Sequence, residues 1–160
     1  MKNKVLAALL VIGIIFSLAA CEQQKNILHP GEDESLTFKT TSLIYKNGGY
    51  TTYSLGGVDS QFTFSKDTLI VEDGEEVKTY EISYDEVPLT IEEFKRQFIK
   101  NYNIPDISSY KNMVQYNLCE STNDSPGYRL YILDGQYWVG TIYRNYIWRI
   151  VSVDLVNEEL

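Results

Sequence analysis

The sequence predicts an α+β domain: mainly antiparallel β meanders, about eight or nine short strands, with one amphipathic helix packed on the sheet. Three observations lead there. Apolar and polar residues alternate with period two through much of residues 36–155. Short turn signals, Asp134-Gly135 and Arg144-Asn145, join the three strongest runs. One stretch upstream of those runs, from Thr90, switches to helical spacing and opens with a capping box.

The elements follow in order. Leu36-Thr37-Phe38 and Ser42-Leu43-Ile44-Tyr45 are strand-like, and Asn47-Gly48-Gly49 marks a turn. Tyr50 to Leu55 reads as a second strand closed by Gly56-Gly57. Gln61 to Phe64 alternates, Leu69-Ile70-Val71 follows, and Asp73-Gly74 is a hairpin signal. Val77 to Tyr84 alternates again, with Tyr80, Ile82 and Tyr84 on one face. Pro88 stops that strand. Thr90 and Glu93 then cap a helix whose Ile91, Phe94, Phe98 and Tyr102 form an apolar stripe ending at Pro105. Asn112 to Cys119 is a strand, and a loop from Glu120 to Gly127 follows. Tyr128–Leu133, Gln136–Tyr143 and Tyr146–Leu155 complete the meander.

Two-residue loops would fix the register of these last three strands. Tyr131, Leu133, Trp138, Ile142, Ile147, Val151 and Val153 then share one face. Tyr128, Leu130, Ile132, Tyr137, Val139, Tyr143, Tyr146, Trp148 and Ile150 share the other. Both faces are largely apolar, so the sheet is covered on both sides or offers one side for binding. The helix can cover one side and the first-half meander the other.

The chain opens with Lys2 and Lys4, then an apolar run from Val5 to Phe16, then small residues. That run is short for a membrane span. Leu18-Ala19-Ala20-Cys21 resembles the lipobox of bacterial lipoproteins. The resemblance implies a signal peptide over 1–20, diacylglycerol on the Cys21 thiol, and Cys21 as the first mature residue. Residues 21–35 then read as a lipidated cysteine and flexible tether, and 36–160 as a single β-rich domain. The resemblance places the protein on the cell membrane, facing outside the cytoplasm. Richness in Lys, Asn, Ile, Tyr and Glu fits a low-GC Gram-positive source. Tyr128 to Val153 loosely resembles C-terminal β modules of Gram-positive lipoproteins and membrane sensor proteins, without functional residues to carry over.

Charge excludes one partner class. Fourteen basic residues stand against 22 acidic ones, a net −8. Without Lys2 and Lys4 the balance is −10. Such a domain repels phosphate backbones, so no nucleic-acid partner is expected. The acidic runs Glu32-Asp33-Glu34, Glu72-Asp73 with Glu75-Glu76, and Asp85-Glu86 lack a calcium-loop pattern and read as solvated loops. No metal and no cofactor are expected.

Catalytic motifs are missing too. The sequence contains no Gly-x-Ser-x-Gly, His-Glu-x-x-His, Cys-x-x-Cys or phosphate loop. Its one histidine, His29, falls in the tether. Cys119 has no partner if Cys21 carries lipid, and reads as a buried thiol.

The sharpest constellation is a cross-strand row of Arg129, Gly140 and Arg149, with Tyr131 and Trp138 one row away. Two guanidiniums around a position without a side chain leave room for a planar anion. The plainer reading pairs both arginines with carboxylates or lays them along rings. Tyr143 and Trp148 belong to an aromatic face that suits a glycan, peptide or protein, or simply strand propensity. The expected function is a non-enzymatic binding or accessory module of the envelope, meeting an envelope protein or a small ligand. One alternative is an acidic inhibitor or immunity-type protein capturing a cationic secreted hydrolase. A second is a small hydrolase.

Overall fold

The computed structural model describes residues 30, 34–47, 59–99 and 103–156. Among these residues nine strands are formed: β1 (Leu36–Lys46), β2 (Gln61–Phe64), β3 (Thr68–Asp73), β4 (Glu76–Glu81), β5 (Asp85–Pro88), β6 (Met113–Cys119), β7 (Gly127–Leu133), β8 (Gln136–Tyr143) and β9 (Tyr146–Leu155). One short helix, α1 (Ile91–Arg96), lies between β5 and β6. The strands make one antiparallel sheet in the order β4-β3-β2-β1-β9-β8-β7-β6-β5.

The sheet curls onto itself. Phe62 of β2 touches Tyr128 of β7, four places along the order, with ring centroids 6.4 Å apart. Tyr80 of β4 meets the same Tyr128 at 4.9 Å. Strands β4 and β5 are the two edges of the sheet, yet they are consecutive in sequence. The link across the gap is 82–84, where Ile82 N–H donates to Asp67 O and Ser83 N–H to Leu118 O, both at 2.9 Å. Tyr84 donates its hydroxyl to Ser65 O at 2.7 Å, and burial pushes that phenol up to about 12. The enclosed face carries Phe38, Phe62, Phe64, Leu69, Val71, Leu118, Tyr128, Leu130, Val139, Val151 and Val153.

Alternation explains why a second core forms outside. Strands β7 to β9 are apolar on both faces, so their outward residues need cover as well. Phe94 of α1 supplies it, fully buried and set edge-on against Tyr131 with centroids 5.5 Å apart. Residues 104–113 extend the cover: Ile107 is buried, and Tyr110 stands edge-on against Trp138 at 5.9 Å. Asp134 anchors this segment by accepting from the Lys111 and Asn112 N–H groups at 3.0 and 2.8 Å.

Several expectations hold and several need correction. The loops at 134–135 and 144–145 are two-residue hairpins with all four φ angles positive, the primed turns that match strand twist. The Thr90–Glu93 capping box is present in both directions. The helix, however, ends at Arg96 and does not run on toward Pro105. Gln97 N–H bonds Phe94 O and Phe98 N–H bonds Lys95 O, so the last turn tightens to three-residue spacing and stops. Phe98 is buried beyond the helix end, and Tyr102 lies outside the described residues. The strand expected over Tyr50 to Leu55 also lies outside them.

The two apolar segments expected around residue 40 are one strand, β1, with bulges that absorb Thr41 and Ile44. Strand β5 has no apolar alternation to reveal it. As an edge strand it pairs only with β6, which is why Pro88 is tolerated there.

The largest correction concerns β9. Ile142 pairs with Ile147, but Thr141 pairs with Arg149, so Trp148 is an extra, bulged residue. A one-residue slip exchanges faces. Val151 and Val153 therefore join Tyr128 in the interior, and Ile150 joins Tyr131 outside, the reverse of the expectation.

Candidate functional site

The residues singled out from sequence divide into two groups. Arg129, Tyr131 and Trp138 lie on the outer face beneath α1 and residues 104–113. Tyr143, Trp148 and Arg149 lie at the β8–β9 hairpin.

In the first group, Arg129 does stand opposite Gly140, as the two-residue loop requires. Gly140 then pairs with Ile150, so the bulge at Trp148 removes Arg149 from the row. Nor is the space above Gly140 open to an anion. A Cβ there would meet Tyr131 Cε2 at 2.8 Å, because the Tyr131 ring lies across the glycine.

What gathers these side chains is Gln97, the residue that caps the helix C-terminus. Its Oε1 accepts from Arg129 Nη1 and from Tyr131 Oη, each at 2.7 Å. Its Nε2 donates to Gln115 Oε1 at 2.7 Å, and Gln115 passes a bond on to Asn117 Oδ1 at 2.7 Å. Its backbone carbonyl accepts from Ile147 N–H at 2.8 Å. Burial raises the Tyr131 phenol while the Arg129 charge pulls it back, so the hydroxyl stays a neutral donor. The network's chemistry is donor–acceptor matching: it docks a short helix on the sheet and orients one guanidinium.

Gln97, Gln115 and Asn117 were not singled out from sequence. The available signal was phase. Gln97 interrupts the apolar stripe between Phe94 and Phe98, and Gln115 and Asn117 share the strand face opposite Tyr131 and Arg129.

The second group stays near solvent. Tyr143 and Trp148 are half-buried and meet edge-on at 5.8 Å, and Trp148 Nε1 donates to Tyr143 O at 3.3 Å. Arg144 lies over the Tyr143 ring at 5.3 Å, and Tyr146 is 42% exposed. Arg149 sits on the ladder between Thr141 and Lys46.

Other expectations meet simple geometry. Cys119 forms no disulfide, and burial leads in pushing its thiol up, away from the thiolate a nucleophile needs. Cys21, His29 and the segment before residue 30 lie outside the described residues. Among the described residues, no three His, Cys, Asp or Glu side chains group to hold a metal ion. Among the same residues, no helix is long and apolar enough to cross a membrane.

The chain matches no family model, no curated protein and no solved structure at a significant level.

Proposed function

We propose that this protein is a lipid-anchored, non-enzymatic binding or accessory module held on the outer side of the cell membrane. The observation that carries the reading is Leu18-Ala19-Ala20-Cys21 at the end of a short charged-then-apolar leader. In this reading residues 1–20 are a signal peptide, Cys21 carries the lipid, and the polar segment to residue 35 holds the β-rich domain off the membrane. The binding surface is the β8–β9 hairpin, where Tyr143, Arg144, Tyr146 and Trp148 offer aromatic area and one cation near solvent. The partner is an envelope protein or a small ligand.

Fractionation of cells making the Cys21→Ser variant tests the anchor. The expected result is release from membranes or an uncleaved leader. Normal processing with unchanged membrane retention would sink the lipoprotein reading.

The acidic balance of −10 beyond the leader supports a second reading, capture of a cationic secreted hydrolase. Salt separates the two. Affinity through charge should fall steeply between low and high salt, whereas affinity through the aromatic hairpin should persist.

A further inference from the structure

Inside the curled sheet, three polar residues stand where the alternation calls for hydrocarbon. On their own strands, Thr40 follows Phe38, Ser60 precedes Phe62 and Asp73 follows Val71, each on the interior face. The register aligns them in one cross-strand row. Thr40 N–H donates to Ser60 O at 3.0 Å, and Ser60 and Asp73 stand one step beyond the last β2–β3 pair, Gln61 with Glu72. Thr40 Oγ1, Ser60 Oγ and Asp73 Oδ2 are all buried without a hydrogen-bond partner.

Two phenols from other parts of the wall share this face, and Tyr128 lies near enough to Asp73 to feel its charge. The Tyr80 and Tyr128 rings meet edge-on, and Tyr128 also touches Phe62, the neighbour of Ser60 along the face. The Tyr80 and Tyr128 hydroxyls are buried as well and lie close enough to bond each other, which leaves lone pairs on both without a partner. Burial first, then the nearby Tyr80, with smaller pushes from Cys119 and Asp73, keeps the proton on Tyr128. Native interiors hold few unsatisfied oxygens, and each calls for an explanation, an ordered water or ion among them.

The chemistry of the five narrows what that is. Four hydroxyls and a carboxylate can all accept, and the carboxylate brings the only formal charge. A divalent ion would call for more carboxylates than this one.

We propose that this row is a binding site for a monovalent cation of water-like size, in the class of ammonium and potassium. Asp73 supplies the charge, and Ser60, Thr40, Tyr80 and Tyr128 supply neutral oxygens. The site is independent of the anchor and of the aromatic hairpin, so its test uses stability and not localisation or capture.

Thermal unfolding of the full chain in detergent would be followed in ammonium, potassium, sodium and choline chlorides at equal ionic strength. Ammonium or potassium should raise Tm above choline by on the order of 5 °C at tenfold excess over Kd. Asp73→Asn should abolish the difference between salts. Tyr128→Phe keeps the ring and should shift the salt midpoint about tenfold. Equal Tm in every salt would mean that ordered water alone fills the row, and would overturn the proposal. So would a salt preference that survives Asp73→Asn. If Asp73→Asn does not fold, 15N-ammonium spectra of the unaltered chain decide. A resolved bound signal that potassium displaces supports the site, and its absence overturns it.

Discussion

The two faces of the sheet are both packed with aromatic rings, but they differ in how they treat polar groups. On the outer face, Arg129, Tyr131 and Gln115 converge on Gln97 and are satisfied by it. On the interior face, Thr40, Ser60 and Asp73 each leave an oxygen without a partner, and the Tyr80 and Tyr128 hydroxyls have only each other. The outer polar groups serve an element that must be located: a helix of six residues cannot hold itself and is fixed by what it touches. The interior groups locate nothing, because the strands around them are already fixed by their ladders. One polar set is explained by the fold, and the other calls for an occupant.

Substitutions can break or sharpen this contrast. The largest effect should come from Phe94→Ala, which empties the contact with Tyr131 and costs about 3–5 kcal/mol by denaturant unfolding. A loss under about 1 kcal/mol would mean the helix is incidental to the outer core. Next is Gln97→Leu, which strands the Tyr131 hydroxyl, Arg129 and Gln115 together. It should cost about 2–4 kcal/mol, and Gln97→Glu, which keeps the acceptor, should cost less. If both variants behave alike, the hydrogen bonds do not set the docking. Gly140→Ala pushes a methyl into the buried Tyr131 ring and should cost about 1–3 kcal/mol. Unchanged stability there would show that the ring can move aside. The smallest of the stability losses is Thr90→Ala, about 1 kcal/mol from the lost cap.

A pH prediction tests the hairpin that anchors the outer cover. Backbone N–H groups of Lys111 and Asn112 hold the Asp134 carboxyl below the usual carboxylate range, and the Ser108 backbone N–H, then its hydroxyl, do the same for Asp106. A depressed folded pKa contributes stability above the unfolded value and loses it as pH falls through the folded one. Stability should therefore drop below about pH 4, and Asp134→Asn should flatten that drop. An unchanged acid limb in Asp134→Asn would assign the drop to other carboxylates.

How much of this was legible in the sequence varied by element. The hairpins at 134–135 and 144–145 were readable because their turns need residues that accept positive φ. The strands beside them were readable through their length and β-branched content. The bulge at Trp148 was not, because an inserted residue in an unbroken apolar run leaves the pattern intact while reversing the faces beyond it. That single residue separated Arg149 from Arg129. Strand β5 was hidden because an edge strand of charged residues carries no alternation. The Gln97 network was hidden because its members meet across 32 and 34 residues of sequence, and periodicity is blind to such distances.

The place of β9 has a consequence for how the molecule assembles. It is the last of the strands to be made, yet it fills the middle of the sheet, with Phe38 of β1 beside its Leu155. Until residues 146–155 emerge, β1 presents a bare edge and the curled wall has no centre. Closing so long a loop delays folding and leaves sticky surface waiting for the final stretch. For a chain carried outward through a membrane as proposed, that delay is useful: the strands before residue 146 remain threadable until β9 has followed them across, and only then lock shut.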